Sequence, residues 1–553
     1  MPEDNIKDSK DLTGELIHLT EDYKRAIEEE KTQGPFIRVD EIASKVAHFY
    51  EKVRAVVDWK EEHLLRRTAI ERNLKRRLMN EISGIKSTKN LDVYEFSESL
   101  IIELIRGGHL PNNKIPREKI VELEKVLKKY IYILENNPLS QKNSNMQIKD
   151  RVNFFTWVME IAACEIEEVL IPPLREMVFI NFMTEVMLRK IQVDPLIKIT
   201  DEEKFIQIYI ASQMSLFRLD NPIILYRLIK LKYPNWQNLK EEDLDFVAKN
   251  SIKIKEDVEK DLNHPLANDF LIACEQYDTL FLVLCDLFEK LRKEDDSDFR
   301  RTISNWNIFG KKIIDVYNER LASLKSRLFK MATLSTLSVL VSSSVSLFIV
   351  EVPIAKLFYG NFNLLAILVD IFLPTLLMFI LVLLVKAPSE KNLESLLYEL
   401  RKIVYKDEKF EFYEIRARRK KSFILKFLVT LFYLLGLGIS LGFIFWVFYT
   451  AKVPISSVYV DTLNVAVIVS AALLIRQKSK ELLVEEKNTF LEFILDTLSV
   501  PLGKLGQWIS QKWKEYNVVS VFFTVLVDMP VQTIVDLIED WSLYIKDKKA
   551  RLR

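Results

Sequence analysis

The sequence predicts an all-α protein: a charged, helical cytosolic bundle over residues 1–326, a four-helix transmembrane region over 327–476, and a cytosolic or interfacial helical tail over 477–553. Three observations predict it. Charged side chains crowd the first 326 positions and nearly vanish from four later apolar runs. Those runs are about 20 residues long, the length that crosses a hydrocarbon core of about 30 Å. Glycine is scarce, 12 of 553 residues, and the prolines fall at breaks in the helical pattern, so strands and tight hairpins have little support. The net charge of +1 conceals the contrast by averaging two unlike halves.

The N-terminal segment Met1 to Lys10 is charged and has no apolar core, so it is not read as a secretory signal. A helix is expected from Asp40 to Ile82, with Ile42, Val46, Phe49, Val53 and Val56 at helical spacing. Within it lies the most basic stretch of this half. Arg66, Arg72, Lys75, Arg76 and Arg77 share one arc, and Ile70, Leu74 and Leu78 share another. Such a helix can bind anionic lipid or nucleic acid. The plainer reading is favoured: a solvated face paired with neighbouring acids, since Asp and Glu nearly match Lys and Arg in number.

Further along, Gly107-Gly108 and the X-Pro pairs at 137–138, 194–195, 221–222, 233–234 and 264–265 mark helix boundaries, because a residue before proline avoids the helical region. Pro172-Pro173 should kink or split a helix running from Ile148 to Ile191. Cys274 and Cys285 are expected on one helix, about 16 Å apart, too far for a disulfide, and Cys164 stands alone. The last helix of this half, Phe299 to Arg327, should run on into the first span.

The spans are read as Leu328–Val350, Leu364–Val385, Phe423–Tyr449 and, more weakly because of Asp461 and Asn464, about Ile455–Ile475. Lys and Arg crowd the first span's entry, the 386–422 loop and the end of the fourth span; the other two connections hold only Lys356 and Lys452. The positive-inside rule then puts both termini and the loop in the cytoplasm of a plasma-membrane protein. Inside the loop, Leu393, Leu396, Leu397, Leu400 and Val404 form one face of an amphipathic helix that packs on the bundle or on the inner leaflet. The run Val518–Val527 is too short to cross. The stripe Val531, Ile534, Val535, Ile538, Trp541 and Ile545 looks like a docking helix.

Catalytic and cofactor motifs are absent from the sequence. Phe309-Gly310-Lys311-Lys312 lacks the first glycine and the hydroxyl of a phosphate loop, the five histidines are scattered, and no serine elbow occurs. No cofactor or metal is expected.

One polar layer stands inside the apolar runs. Counted by helical rise, Asp370, Ser342, Ser343, Ser344, Ser346, Ser440 and Asn464 fall at similar depth toward the outer side. An ionised Asp370 facing lipid would cost about 2.5–3.5 kcal/mol at mid-membrane, so it should face the other helices. Either it binds a proton or cation, or it fixes helix packing; packing is the reading preferred. Gly438-x-x-x-Gly442 and Ser342-x-x-x-Ser346 are expected at close helix contacts. The leading functional expectation is a non-enzymatic membrane platform that presents its helical bundle to protein partners or to itself. The alternatives are an ion or solute transporter using Asp370, and a tether for nucleic acid or anionic lipid through the basic helix.

Overall fold

A computed structural model describes residues 12–30, 34–39, 62–82, 92–139, 148–294, 299–353, 364–383, 390–405, 411–417, 423–450, 455–484 and 490–516, with Val385, Pro388, Trp541 and Tyr544. Apart from two three-residue strands and connecting turns, these residues are helical.

The N-terminal domain contains α1 (Gly14–Glu29), α2 (Glu62–Ile82), α3 (Val93–Arg106), α4 (Glu118–Asn136), α5 (Ile148–Leu170) and α6 (Leu174–Lys190). It continues with α7 (Asp201–Phe217), α8 (Asn221–Lys232), α9 (Glu241–Leu262), α10 (Ala267–Glu275), α11 (Asp278–Lys293) and α12 (Phe299–Ser304). Local chemistry sets the ends. Pro172-Pro173 splits α5 from α6, and Pro222 sits in the first turn of α8. Thr200 and Glu203 make a reciprocal capping box on α7, and the Asp92 carboxylate accepts from two amides at the start of α3. Cys274 and Cys285 lie on separate helices, α10 and α11, not on one as the spacing suggested. The three cysteines are unbridged. Residues 40–61, where the first long helix was expected to begin, lie outside the described residues.

After Asn305, whose side chain caps the next amides, α13 runs unbroken from Trp306 to Ser346. It leaves the N-terminal domain and becomes the first helix of an apolar bundle, as expected, but it starts at Trp306 and not at Phe299, because the Asn305 cap separates it from α12. Next come α14 (Leu364–Leu383), α15 (Glu390–Val404), α16 (Phe423–Thr450), α17 (Ile455–Ser479) and α18 (Phe490–Tyr516). A strand pair that the sequence did not suggest joins β1 (Ile191–Val193) to β2 (Tyr413–Ile415) in parallel, with Ile191 opposite Tyr413.

The expected four spans reduce to two helices of crossing length and composition among the described residues: Trp306–Ile349 and Phe427–Thr450. The apolar part of α14, Ile367–Leu383, is shorter. α17 packs against α13, α14, α16 and α18, with Val458, Asp461, Val465, Ile468, Ala472 and Ile475 buried. Its remaining face is exposed and apolar, at Tyr459, Leu463 and Leu474. α13 and α16 also expose large apolar side chains, among them Phe329, Leu337 and Phe348, and Phe432, Phe443 and Trp446. Such a continuous apolar exterior is not tolerated by a monomer in water.

The close contacts in this bundle differ from those expected. A Cβ on Gly438 or Gly442 would meet nothing within 4 Å. The tight crossings instead use Gly436, where a Cβ would come 2.7 Å from the Thr497 carbonyl of α18, and Gly503 and Gly506 of α18, which press on Leu473, Ala466 and Ser470 of α17. The sequence had put α18 in the tail; here it packs along the apolar helices, with Arg476 of α17 ion-paired to Asp496. The Val518–Val527 run and most of the stripe from Val531 to Ile545 lie outside the described residues, Trp541 excepted.

Candidate functional site

The most elaborate polar arrangement lies where the N-terminal domain meets the apolar bundle. It is built from three stretches of chain: the base of α13, the segment between α14 and α16, and the turn after α17. The amphipathic pattern of α15 is the starting point. Its Leu396, Leu400, Ile403 and Val404 are fully buried in the same core as α1, α11 and α12. Of the two surfaces the sequence allowed for this helix, it takes the domain.

Asn392, at the start of α15, ties the three stretches together. Its Nδ2 donates to Tyr317 Oη of α13 at 3.0 Å and to the Leu482 carbonyl at 2.6 Å, and its Oδ1 accepts from the Val484 amide at 2.8 Å. One amide side chain thus satisfies three groups from two other segments, and it is itself buried. Beside it Glu481 accepts from Arg327 Nη2 at 3.0 and 3.2 Å and stands 3.5 Å from Arg320. Arg320 also pairs with Asp286 of α11. The Thr279 hydroxyl donates to the Glu481 carbonyl at 3.1 Å. Its neighbour Asp278 has its carboxyl pushed up to about 7 by burial, against the opposing pull of hydrogen bonds from Thr279.

The far end of the same segment is fastened as firmly. The Thr13 amide and hydroxyl donate to the carbonyls of Val404 and Ile403, each at 3.0 Å, and Tyr405 Oη donates to the Ile303 carbonyl at 2.7 Å. Lys402 bonds Glu399 at 2.8 Å and Glu411 at 2.9 Å. Burial works against its charge, and the two carboxylates outweigh burial and hold its pKa above the ordinary lysine value. Lys190, at the end of α6, lies 3.7 Å from Glu399 with its ammonium 4.2 Å from the Tyr277 ring centre; burial lowers its pKa.

A second buried polar group is internal to the domain. Lys129 of α4 donates to Glu165 Oε1 at 2.5 Å and to the Trp236 carbonyl at 2.9 Å. Tyr130 Oη and Trp236 Nε1 donate to Glu165 Oε2 at 2.6 and 3.1 Å. Burial lowers the Lys129 pKa against the attraction of Glu165. Both carboxylate oxygens are bonded by buried groups of the domain itself, so the arrangement fixes packing.

The basic arc of α2 is occupied by the protein's own groups. Arg66 bonds the His109 carbonyl at 2.9 Å and Glu167 at 3.4 Å. Lys75 pairs with Glu71 at 2.7 Å, and Arg76 and Arg77 share Glu103 at 2.7 and 2.5 Å. Arg72 is half-buried. Ile70, Leu74 and Leu78 are buried on the opposite arc.

The expected polar layer is only partly assembled. Ser440 Oγ donates to the Gly436 and Leu498 carbonyls at 2.9 and 3.0 Å, so its cross-helix partner is α18. Ser344 bonds back to Leu340 of its own helix. Ser343 is buried, Ser344, Ser346 and Asn464 are half-buried, and Ser342 is exposed. Asp370 stands on α14, with its side chain outside the described residues. Asp461, expected only to weaken the fourth span and not counted in the polar layer, is 2% exposed on the buried stripe of α17. Its spacing was the available signal: Val458, Asp461 and Val465 recur at three and four residues. Asn392, Glu481 and Lys190 were missed too, because their partners lie far off in the sequence; Lys402, whose partners Glu399 and Glu411 are near, was read only as part of a basic loop.

Among the described residues no group of three or more His, Cys, Asp or Glu side chains is placed to hold a metal ion. No protein-family model, curated protein or solved structure matches the chain.

Proposed function

We propose that this chain is a membrane-anchored helical platform: four crossing helices, with α18 packed against them, carry a large cytosolic domain, and the junction around Asn392 and Glu481 holds that domain in a fixed pose at the inner leaflet. The observation that carries the reading is the junction. The base of α13, the α14–α16 segment and the turn after α17 all dock on one domain. A chain that leaves one side of the apolar bundle and twice returns to it makes two hairpins, which supports four crossings with both flanks cytoplasmic in a cell membrane. The exposed apolar faces of α13 and α16, and the narrower one of α17 at Tyr459, Leu463 and Leu474, supply the lipid contact.

A second reading has one specific observation in its favour. Asp461 is a buried acid in the middle of an apolar bundle, the usual mark of a proton or cation path. Reconstitution separates the two. In proteoliposomes the full chain should show proton and cation flux no greater than empty vesicles, and a photo-cross-linker at Phe246, which is 61% exposed on α9, should capture a discrete protein in native membranes. Flux that is lost in folded Asp461→Asn or Asp370→Asn protein would replace the platform by a transporter.

A further inference from the structure

We propose that the groove between α13 and α14 is a binding site for one acyl chain of an anionic phospholipid, whose phosphate is held by Lys330. The inference rests on the membrane reading above. The groove encloses about 530 Å³, within the roughly 300–1,000 Å³ typical of ligand sites. It runs along α13 from Leu328 to Leu340, with Phe379 and Leu383 of α14 opposite and Ile475 of α17 at its floor. Those thirteen residues rise about 18 Å, a little over half of a hydrocarbon core about 30 Å thick.

Its chemistry selects hydrocarbon. Three hydroxyls stand in the wall, and all three are turned back onto their own helices. Thr333 donates to the Phe329 carbonyl, Thr336 to Ala332 at 2.8 Å and Thr375 to Ile371 at 2.8 Å. With its hydroxyls spent on main-chain carbonyls, the wall leaves no side-chain donor to demand a polar ligand.

The charge at one end selects the headgroup. Lys330 is exposed and shares a helical face with Thr333 and Leu337, three and seven residues on, both of which line the groove. Side chains on a helix lean toward its N-terminus, so Lys330 reaches toward the Arg327 end, where the membrane surface would lie. Arg327 shares the face of Leu334, seven residues on, and is paired there to Glu481. A chain-length apolar slot with an exposed lysine at its end favours an anionic phospholipid over a zwitterionic one.

The test uses the full chain, stripped of lipid in detergent and returned to vesicles of defined composition. Retained lipid is counted by native mass spectrometry after re-extraction. The expected result is about one phosphatidylglycerol per chain, in preference to phosphatidylcholine of the same acyl length. Lys330→Gln should cut that preference roughly five-fold. Thr336→Trp, which fills the slot, should abolish retention of both lipids, while Leu334→Trp, on the exposed face outside the groove, should change nothing. Equal retention of the two lipids by the wild-type chain, or retention unmoved by Lys330→Gln, overturns the proposal. If Thr336→Trp misfolds, Leu337→Phe narrows the same slot and should weaken retention; unchanged retention there also overturns it. Failure of the chain to co-float with any vesicle sinks the membrane reading itself, whereas flotation without lipid preference sinks only this site.

Discussion

At the scale of single residues, the buried pair Lys129–Glu165 sets the sharpest expectation. The side chains are 7% and 1% exposed. Lys129→Met leaves an unpaired buried carboxylate and should cost about 3–5 kcal/mol, read as a lowered unfolding midpoint. The double variant Lys129→Met with Glu165→Leu should recover part of that loss, because no charge is then stranded. Asp278 gives a pH dependence whose sign is fixed. Burial holds its folded pKa near 7, above the unfolded value of about 3.9. Between those values the folded state holds the proton and the unfolded state does not, so stability falls as pH rises from about 4 to about 7, and is level above. Asp278→Asn should flatten that slope. Thermal melts of both proteins at pH 5 and pH 8 check it: an unchanged difference between the two pH values would refute the assignment. Glu167, also raised to about 7 by burial, adds a slope of the same sign that both proteins share.

At the scale of elements, the junction and the close helix crossings carry the predictions. Asn392→Ala strips partners from Tyr317 Oη, the Leu482 carbonyl and the Val484 amide. Each polar group left unsatisfied costs on the order of 1–3 kcal/mol. The variant should be cleaved faster by trypsin between Lys402 and Lys421 than the parent, with α15 released from the domain. The glycines divide by packing. Gly438→Ala should be neutral or gain up to about 1 kcal/mol, as expected for an open helical position. Gly506→Ala drives a methyl into the Ala466 carbonyl and should displace α18, read as changed emission from the exposed Trp508 nearby. Helix type and most boundaries were legible in the sequence, since Pro172-Pro173, Asn221-Pro222 and the α15 stripe act locally. The β1–β2 pair and the glycine contacts were not legible. A three-residue strand has no periodicity to read, and Gly438-x-x-x-Gly442 is indistinguishable by spacing from a true contact.

At the scale of the whole molecule, the division into a charged helical domain and an apolar bundle was visible in composition alone. The placement of the parts was not. Asp461, which made the fourth apolar run look weak, is buried where α17 packs on its neighbours. Nor did sequence show that α15 belongs to the N-terminal core, because it has the same stripe whether it faces protein or lipid. The proposed topology predicts that reporters fused at Asn361 and Ser456 lie outside the cell. A cytoplasmic signal at either position would leave one hairpin short and break the two-return arrangement on which the platform depends.

The parallel pairing of β1 with β2 also sets an order on biosynthesis. Ile191 must wait for Tyr413, about 220 residues later in the chain. At roughly 5–20 residues per second, the ribosome leaves that edge open for about 10–45 s. During that interval α13, α14 and α15 are still being made. The N-terminal domain therefore closes late although it is begun first, and Leu396, Leu400 and Ile403 complete its core only after the first apolar hairpin has been made. A chain truncated after residue 353 should keep its helices yet bind a hydrophobic dye and melt earlier than the same domain within the full-length protein.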